Sequence, residues 1–256
     1  MDLSDIKQVL ETEVKKRNKN SELSLEKPDP LFVARSLKDE YAILLCALFA
    51  YGNAKQIVKF LQTLDFTLLD TSEDKIKKSL KNHYYRFQNS EDIVQVFLSL
   101  KKMKENFSLD DIFFENYKKN FDVLEGISGV LEYIYKQSLY TSRGFTFLLG
   151  SIPKKDKLGI IKGSNSPYKR WNMFLRWMVR KDELDLGLWT RVRKQDLLMP
   201  LDTHTFKISQ KLGLLQYKTY NLKAVRLLTK VLKEFDKNDP IKYDFALYRI
   251  GQEKIL

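Results

Sequence analysis

The spacing of apolar residues constrains the fold of this chain most strongly, and that spacing is helical almost throughout. Apolar side chains recur every three or four residues, a period that places them on one face of an α-helix. The clearest sets are Ile57, Phe60, Leu61 and Leu64; Ile93, Phe97, Leu100 and Met103; and Leu222, Val225, Leu228, Val231 and Phe235. Alternating segments typical of half-buried strands are scarce. The sequence therefore predicts an all-α protein of roughly ten or more short helices.

Charge points to a polyanionic partner. Lys and Arg number 45 against 33 Asp and Glu, which gives a net charge of +12. Each phosphate neutralised by such residues releases counterions and favours binding to nucleic acid. A solvated, lysine-rich surface is the alternative explanation.

Cysteine and histidine are too few for several kinds of site. The one cysteine, Cys46, lies in the apolar run from Tyr41 to Tyr51, where we expect a core residue. A single cysteine excludes an intramolecular disulfide and a Cys-only zinc or iron–sulfur site. With only His83 and His204 present, a histidine-based zinc site is also excluded.

The N-terminal residues are acidic and amphipathic, without the apolar core of a secretion signal. The longest apolar run is too short to cross a bilayer. We therefore predict a soluble cytoplasmic protein with no membrane partner.

Lys169 is the first candidate for chemistry. Ser166 and Pro167 predict a helix start, with Ser166 as the N-cap and Pro167 in the first helical position. The helix is expected to run from Pro167 to about Arg180, with Lys169 in its first turn. The positive end of the helix and the neighbouring Arg170 both disfavour an ammonium there, and so favour a nucleophilic amine. An ordinary surface lysine is the alternative.

Asp202 is the second candidate. It precedes an amphipathic segment that stops at Gly213, so a helix N-cap is by itself a sufficient account of this residue. A catalytic carboxylate is the other account that the position allows.

Together the two residues resemble a known pattern. A Lys that opens one helix, followed by Asp-Thr-His opening another, is similar to the helix-hairpin-helix DNA glycosylases such as endonuclease III. Asn172 lies three residues after Lys169, as is typical of that family, and the second motif reads Leu201-Asp202-Thr203-His204. The chain also resembles a bacterial family without an assigned activity that shares the blocks LFAYGNAKQI, NMFLRWMVR and KYDFALY.

Within the superfamily, the chain is closest in character to the archaeal 8-oxoguanine DNA glycosylases. The resemblance consists of an altered hairpin over residues 162–167, a separation of 33 residues between Lys169 and Asp202, and no C-terminal four-cysteine cluster.

The resemblance implies a fold of two α-helical domains that flank an active-site cleft. Residues 31–180 would form a helical body that ends in the hairpin and the lysine helix. Residues 1–30 and 181–256 would form the second domain, which carries Asp202.

The resemblance also implies an activity. The chain would be a monomeric base-excision-repair glycosylase with AP lyase activity, acting on damaged double-stranded DNA and removing 8-oxoguanine without a metal or cofactor. It would extrude the damaged nucleotide from the duplex. Lys169 would attack C1′ and form a Schiff base, and Asp202 would take up the proton and stabilise cationic character at the sugar. The location would be the cytoplasm, in association with the nucleoid.

Six further residues are candidates for contacts with DNA or with the extruded base: Asn53, Gln56, Gly163, Ser164, Trp189 and His204. Gly163 and Ser164 lie in the hairpin that would hold a phosphate, and Trp189 would stack on the base. Helix capping is the alternative role for Asn53 and Gln56, and packing is the alternative for His204.

Two other functions remain open from the sequence. One is a nucleic-acid-binding protein that kept the scaffold without catalysis. The other is a monofunctional alkyl-base glycosylase in which Asp202 activates water.

Overall fold

The computed structural model describes residues 2–161 and 163–253, and within these ranges the fold is all-helical. No strand is found there, and only three isolated bridges pair extended residues. The prediction of an all-α protein is therefore confirmed.

The helices in the described ranges are α1 (Leu3–Arg17), α2 (Pro30–Ala34), α3 (Glu40–Leu48), α4 (Ala54–Leu61), α5 (Glu73–Leu80), α6 (Ser90–Lys104), α7 (Leu109–Tyr117), α8 (Val123–Gln137), α9 (Arg143–Leu149), α10 (Lys169–Val179), α11 (Thr203–Lys211), α12 (Leu222–Phe235) and α13 (Asp244–Glu253). Short 3-10 helices occupy Asn20–Glu22, Phe66–Asp70, Lys194–Asp196 and Pro240–Tyr243.

The chain forms two compact units. The central unit comprises Pro28–Pro153 and contains α2 to α9, and the terminal unit comprises Met1–Lys27 with Lys154–Leu256 and contains α1 and α10 to α13.

The boundary after the central unit lies at Pro153, whereas the sequence predicted it at residue 180. Residues 154–180 therefore belong to the terminal unit. The physical reason lies on α10, whose Arg176 is held by Asp185 and by Asp244 of α13. These bonds join the lysine helix to the chain that follows it.

Helix starts in the central unit follow the local sequence. Most of these helices begin after a side chain that accepts a hydrogen bond from a first-turn amide, which satisfies donors that the helix itself leaves unpaired. The capping residues are Asp29, Asp39, Asn53, Ser72, Asn89, Asp122 and Ser142. The apolar helix α3, buried from Tyr41 to Leu48, lies in the core of this unit.

Small residues let α7 and α8 pack closely. A Cβ added at Gly126 of α8 would lie 2.5 Å from the ring of Phe113, and one at Gly129 would lie 2.1 Å from the amide of Asn116. Larger residues at either position would force the two helices apart.

In the terminal unit, the N-terminal helix is tied to the C-terminal one. Arg17 of α1 donates two hydrogen bonds of 2.8 Å to Glu253 of α13. Arg249, also on α13, donates to the carbonyl of Glu22 at 2.8 Å. The first residues of the chain therefore help to fix the helix that begins at Asp244.

Helix α11 packs closely on α13. A Cβ added at Gly251 would lie 3.3 Å from the carbonyl oxygen of His204, so this glycine permits the close approach. None of the helices in residues 2–161 and 163–253 is both long and apolar enough to cross a membrane.

Candidate active site

Lys169 is the first residue of α10. The helix starts two residues later than predicted, because Tyr168 takes a left-handed backbone conformation with φ of 50° and serves as the N-cap. Ser166 is therefore not the N-cap; its hydroxyl accepts a hydrogen bond from the amide of Tyr168 at 3.1 Å. The prediction that Lys169 lies in the first turn is confirmed. Its ammonium group lies 3.5 Å from the sulfur of Met173, one turn further along.

Asn172 holds the turn that leads into α10. Its side-chain amide donates to the carbonyl of Pro167 at 3.1 Å. The side chain is buried, and its Oδ1 accepts no hydrogen bond from any residue that the structure describes. Leaving a buried acceptor unpaired costs about 1–3 kcal/mol, so this atom is a local destabilising feature of the turn.

Asp202 is the N-cap of α11, as its place in the sequence predicts. Its Oδ1 accepts a hydrogen bond of 2.7 Å from the amide of Thr205. The backbone carbonyl of Leu201 accepts from the hydroxyl of Tyr220 at 2.7 Å. Burial, with the charge of Asp202 as a second cause, raises the pKa of Tyr220 above its usual value. Asp202 itself is partly exposed, which leaves it accessible to a substrate.

Asp244, the first residue of α13, links the two candidates. Its buried carboxylate accepts a hydrogen bond of 2.6 Å from Nη1 of Arg176. Burial raises the pKa of Asp244 to about 6; the positive charge of Arg176 opposes this shift, the negative charge of Asp202 adds to it, and Lys169 opposes it. Lys169 and Asp202 therefore both lie within electrostatic range of one buried carboxyl group.

Three candidate groups lie at helix starts. Lys169 begins α10, Asp202 caps α11 and Asp244 begins α13. The positive end of a helix dipole favours anions nearby and disfavours an ammonium. An amine can act as a nucleophile and a carboxylate as a proton acceptor.

A buried ion-pair network holds the C-terminal half of α10 in place. Arg176 bonds to both oxygens of Asp185 at 3.0 to 3.2 Å, as well as to Asp244. Arg180, one turn later, pairs with Asp185 and, at 2.9 Å in each case, with Asp182 and Asp239. These aspartates restrain α10, the helix that Lys169 begins.

Arg176 and Asp244 were not recognised as site residues from the sequence, although both lie in blocks that the chain shares with the bacterial family. The pattern that would have found Arg176 is its position seven residues after Lys169, on the same helical face. An arginine on an apolar face, followed by the acidic residues Asp182, Glu183 and Asp185, indicates a buried ion pair.

The hairpin residues use some of their polar groups within the protein. The carbonyl of Ser164 accepts from the amide of Leu222 at 3.1 Å, and its hydroxyl accepts from the amide of Ser166 at 3.0 Å. Gly163 is exposed, and a Cβ added there would touch nothing. Lys162, the first residue of this hairpin, lies outside the described residues. Phosphate binding by Gly163 and Ser164 stays a prediction.

Trp189 belongs to the core of the terminal unit. Its side chain is 3% exposed, and its ring lies edge-on to Phe174 with 5.3 Å between ring centroids. Its backbone amide donates to the carbonyl of Met178 at 2.7 Å. The stacking role predicted for Trp189 does not agree with this burial, because a ring that is 3% exposed offers no face to a base. His204 is exposed, and its ring lies 6.5 Å from that of Tyr248.

Asn53 and Gln56 lie in the central unit. The side-chain oxygen of Asn53 caps α4 by accepting from the amides of Lys55 at 3.0 Å and Gln56 at 3.3 Å. Gln56 is an exposed residue of the same helix. The structure thus shows the capping role for Asn53, and a role in base recognition stays a prediction for both.

Charge is distributed unequally between the two units. The central unit holds 16 Lys and Arg against 16 Asp and Glu, whereas the terminal unit holds 29 against 17. The whole excess of +12 therefore lies in the unit that carries Lys169 and Asp202. A polyanion would be attracted to that unit.

Residues 29–253 match the family described as "Protein of unknown function (DUF2400)". Because the match spans most of the sequence, the chain belongs to this family. No curated protein and no solved structure matches it.

Proposed function

We propose that the protein is a base-excision-repair DNA glycosylase with AP lyase activity, in which Lys169 is the nucleophile. The observation that carries this proposal is the placement of Lys169 at the start of α10, within electrostatic range of the buried Asp244 together with Asp202. An amine that must attack carbon needs a nearby group to take its proton. The partly exposed carboxylate of Asp202 fits that role.

The proposed reaction starts at the glycosidic bond. The neutral amine of Lys169 attacks C1′ of an extruded nucleotide, and the bond from C1′ to the base breaks as the base leaves with the electron pair. While that bond breaks, the negative charge of Asp202 stabilises the cationic sugar, and once the bond from the amine to C1′ has formed Asp202 accepts the proton that the amine loses. Opening of the sugar ring then gives an imine between Lys169 and C1′, with the ring oxygen protonated to a hydroxyl.

Strand cleavage follows from the imine. Asp202, a carboxylate again after its proton has passed to the ring oxygen, removes a proton from C2′, and the 3′ phosphate leaves with its bonding electrons, which is β-elimination. Water then hydrolyses the imine and regenerates Lys169.

DNA as the substrate is supported by charge. The net charge of +12 in the terminal unit favours binding of a polyanion. In a duplex, C1′ is reached only when the nucleotide is extruded from the stack. Damaged double-stranded DNA is therefore the proposed partner. We also propose that the protein acts as a monomer and that the lesion it removes is 8-oxoguanine. The proposed place of action is the nucleoid, where such DNA lies.

Incubation with a duplex that contains one abasic site tests this proposal. The protein is expected to nick the strand 3′ to the site and to leave an unsaturated aldehyde at the new end. A monofunctional glycosylase would excise a damaged base but leave an abasic strand intact. A protein that only binds DNA would do neither, and either outcome would overturn the lyase assignment.

A further inference from the structure

Residues 155–161 form a tight hairpin of their own (here termed the hairpin), which precedes the 162–167 hairpin and the lysine helix. The amide of Gly159 donates to the carbonyl of Asp156 at 2.9 Å, and Lys155 and Ile161 form an antiparallel bridge. The Asp156 carboxylate accepts from the amides of Leu158 at 2.9 Å and Ile160 at 3.0 Å. Gly159 has φ of 74°, which glycine adopts without strain. The sequence Asp-Lys-Leu-Gly therefore builds a well-defined turn.

Apolar side chains project from the tip of this hairpin. Leu158 is 79% exposed and Ile160 is 52% exposed, although side chains of this size are commonly buried. The turn holds both at fixed positions, since its backbone is bonded on each side of Leu158. Two neighbouring apolar residues on a rigid projection are suited to insertion into another surface.

The hairpin is also cationic. Lys154 and Lys157 are exposed, and neither has an acidic partner among the residues that the structure describes. Unpaired lysines beside an exposed apolar tip are suited to a partner with both anionic and apolar surfaces.

The base of the hairpin is joined to the candidate site through the start of α12. Arg226 donates to the carbonyl of Ile161 at 2.7 Å, and the amide of Leu222 donates to Ser164 at 3.1 Å. Tyr220, two residues before α12, donates to Leu201, the neighbour of Asp202. A short run of chain thus fixes the hairpin and Asp202 in the same part of the terminal unit.

We propose that this hairpin is a DNA contact, in which Lys154 and Lys157 meet phosphates and Leu158 inserts between base pairs. Duplex DNA offers anionic phosphates at the rim of a groove and apolar base faces within it, and inserted leucine or isoleucine side chains unstack base steps in other DNA-binding proteins. The inference rests on the proposed function only in taking DNA as the partner. It requires no catalysis.

A duplex containing 2-aminopurine, whose fluorescence rises when it is unstacked, tests the proposal. The wild type is expected to raise the fluorescence on binding. Leu158→Ala should bind the duplex about tenfold more weakly and lose most of the rise, because the truncated side chain buries less apolar surface. Leu25→Ala is the matched control, since Leu25 is 64% exposed in the same unit, and this variant should behave as the wild type.

The outcomes separate this proposal from the proposed function. A fluorescence rise that depends on Leu158, without nicking of abasic DNA, would support the hairpin contact and overturn the lyase. Nicking of abasic DNA together with wild-type DNA affinity and fluorescence in Leu158→Ala would overturn the hairpin contact alone. Nicking with no fluorescence rise in the wild type would do the same. Binding to anionic phosphatidylglycerol vesicles that requires Leu158, while DNA binding does not, would overturn it in favour of a membrane surface.

Discussion

Arg176 of α10 donates a hydrogen bond of 2.6 Å to Asp244 of α13, and both side chains are buried. The pair fixes α10, the helix that begins at Lys169, to the first residue of α13. Replacement of Arg176 should therefore affect folding first, because Asp244 would lose its cation and Asp185 would lose one of its two.

Arg176→Met is expected to lower the free energy of unfolding by about 3–5 kcal/mol, since Asp244 would stay buried without its charge partner and Asp185 would keep only Arg180. Urea unfolding measures this loss. Lys16→Met is the control, because Lys16 is exposed and pairs with Glu13 at 3.4 Å on the surface of α1. Removal of that pair should cost at most about 1 kcal/mol. Equal losses in the two variants would show that the network does not stabilise the unit.

Asp244 should make stability depend on pH. Its pKa is raised from the ordinary value of 3.8 to about 6, chiefly by burial, so the folded state binds this proton more tightly than the unfolded chain does. The stability that this group contributes is therefore present below pH ~4 and is lost as the pH rises towards ~6, by a total on the order of 2–3 kcal/mol.

The comparison for this prediction is Asp244→Asn, which keeps an acceptor for Arg176 and does not titrate. The stability of the wild type relative to the variant should fall between pH ~4 and ~7 in urea unfolding experiments. A difference that stays constant over that range would show that Asp244 titrates normally.

Asp202→Asn separates the capping role from the catalytic one. Asparagine caps helices as well as aspartate does, so the hydrogen bond to Thr205 and the melting temperature should be retained. Single-turnover base excision should fall by about 100-fold or more, because the amide cannot accept the proton from Lys169. Asp2→Asn, the same change at the N-cap of α1, should leave excision unchanged. An Asp202→Asn enzyme with full activity would limit Asp202 to capping.

The lesion is expected to be 8-oxoguanine. This base differs from guanine at N7–H and O8, so a selective pocket needs an acceptor for N7–H, and leaving such a group unpaired costs about 1–3 kcal/mol.

Single-turnover excision from duplexes with 8-oxoguanine, thymine glycol, 3-methyladenine or uracil tests the lesion. Excision of 8-oxoguanine should be at least about tenfold faster than excision of the other three. Faster excision of any of those three would reject the lesion and leave the proposed glycosylase unaffected.

Local patterns in the sequence predicted the helical class and the placement of Lys169 and Asp202 at helix starts. These features depend on capping and on apolar spacing over a few residues. The helix start at Lys169 was misplaced by two residues, because the left-handed conformation of Tyr168 has no reliable local pattern.

Contacts between distant residues were not predicted. Arg176 and Asp244 are separated by 68 positions, and nothing in the local spacing of either indicates the other. The same bonds place α10 in the terminal unit, which explains why the boundary at residue 180 was misplaced. Trp189 was expected to be accessible because its segment is irregular, yet its ring packs edge-on against Phe174.

Trapping of the imine with borohydride tests the central claim most directly. Wild-type protein and Lys169→Gln are incubated with an abasic duplex and sodium borohydride, and the trapped residue is identified by peptide mass spectrometry. Lys207→Gln, a change at an exposed lysine of α11 in the same unit, is the control. We predict a covalent adduct at Lys169 in the wild type and the control, and none in Lys169→Gln. An adduct of equal yield in Lys169→Gln would contradict the assignment of the nucleophile.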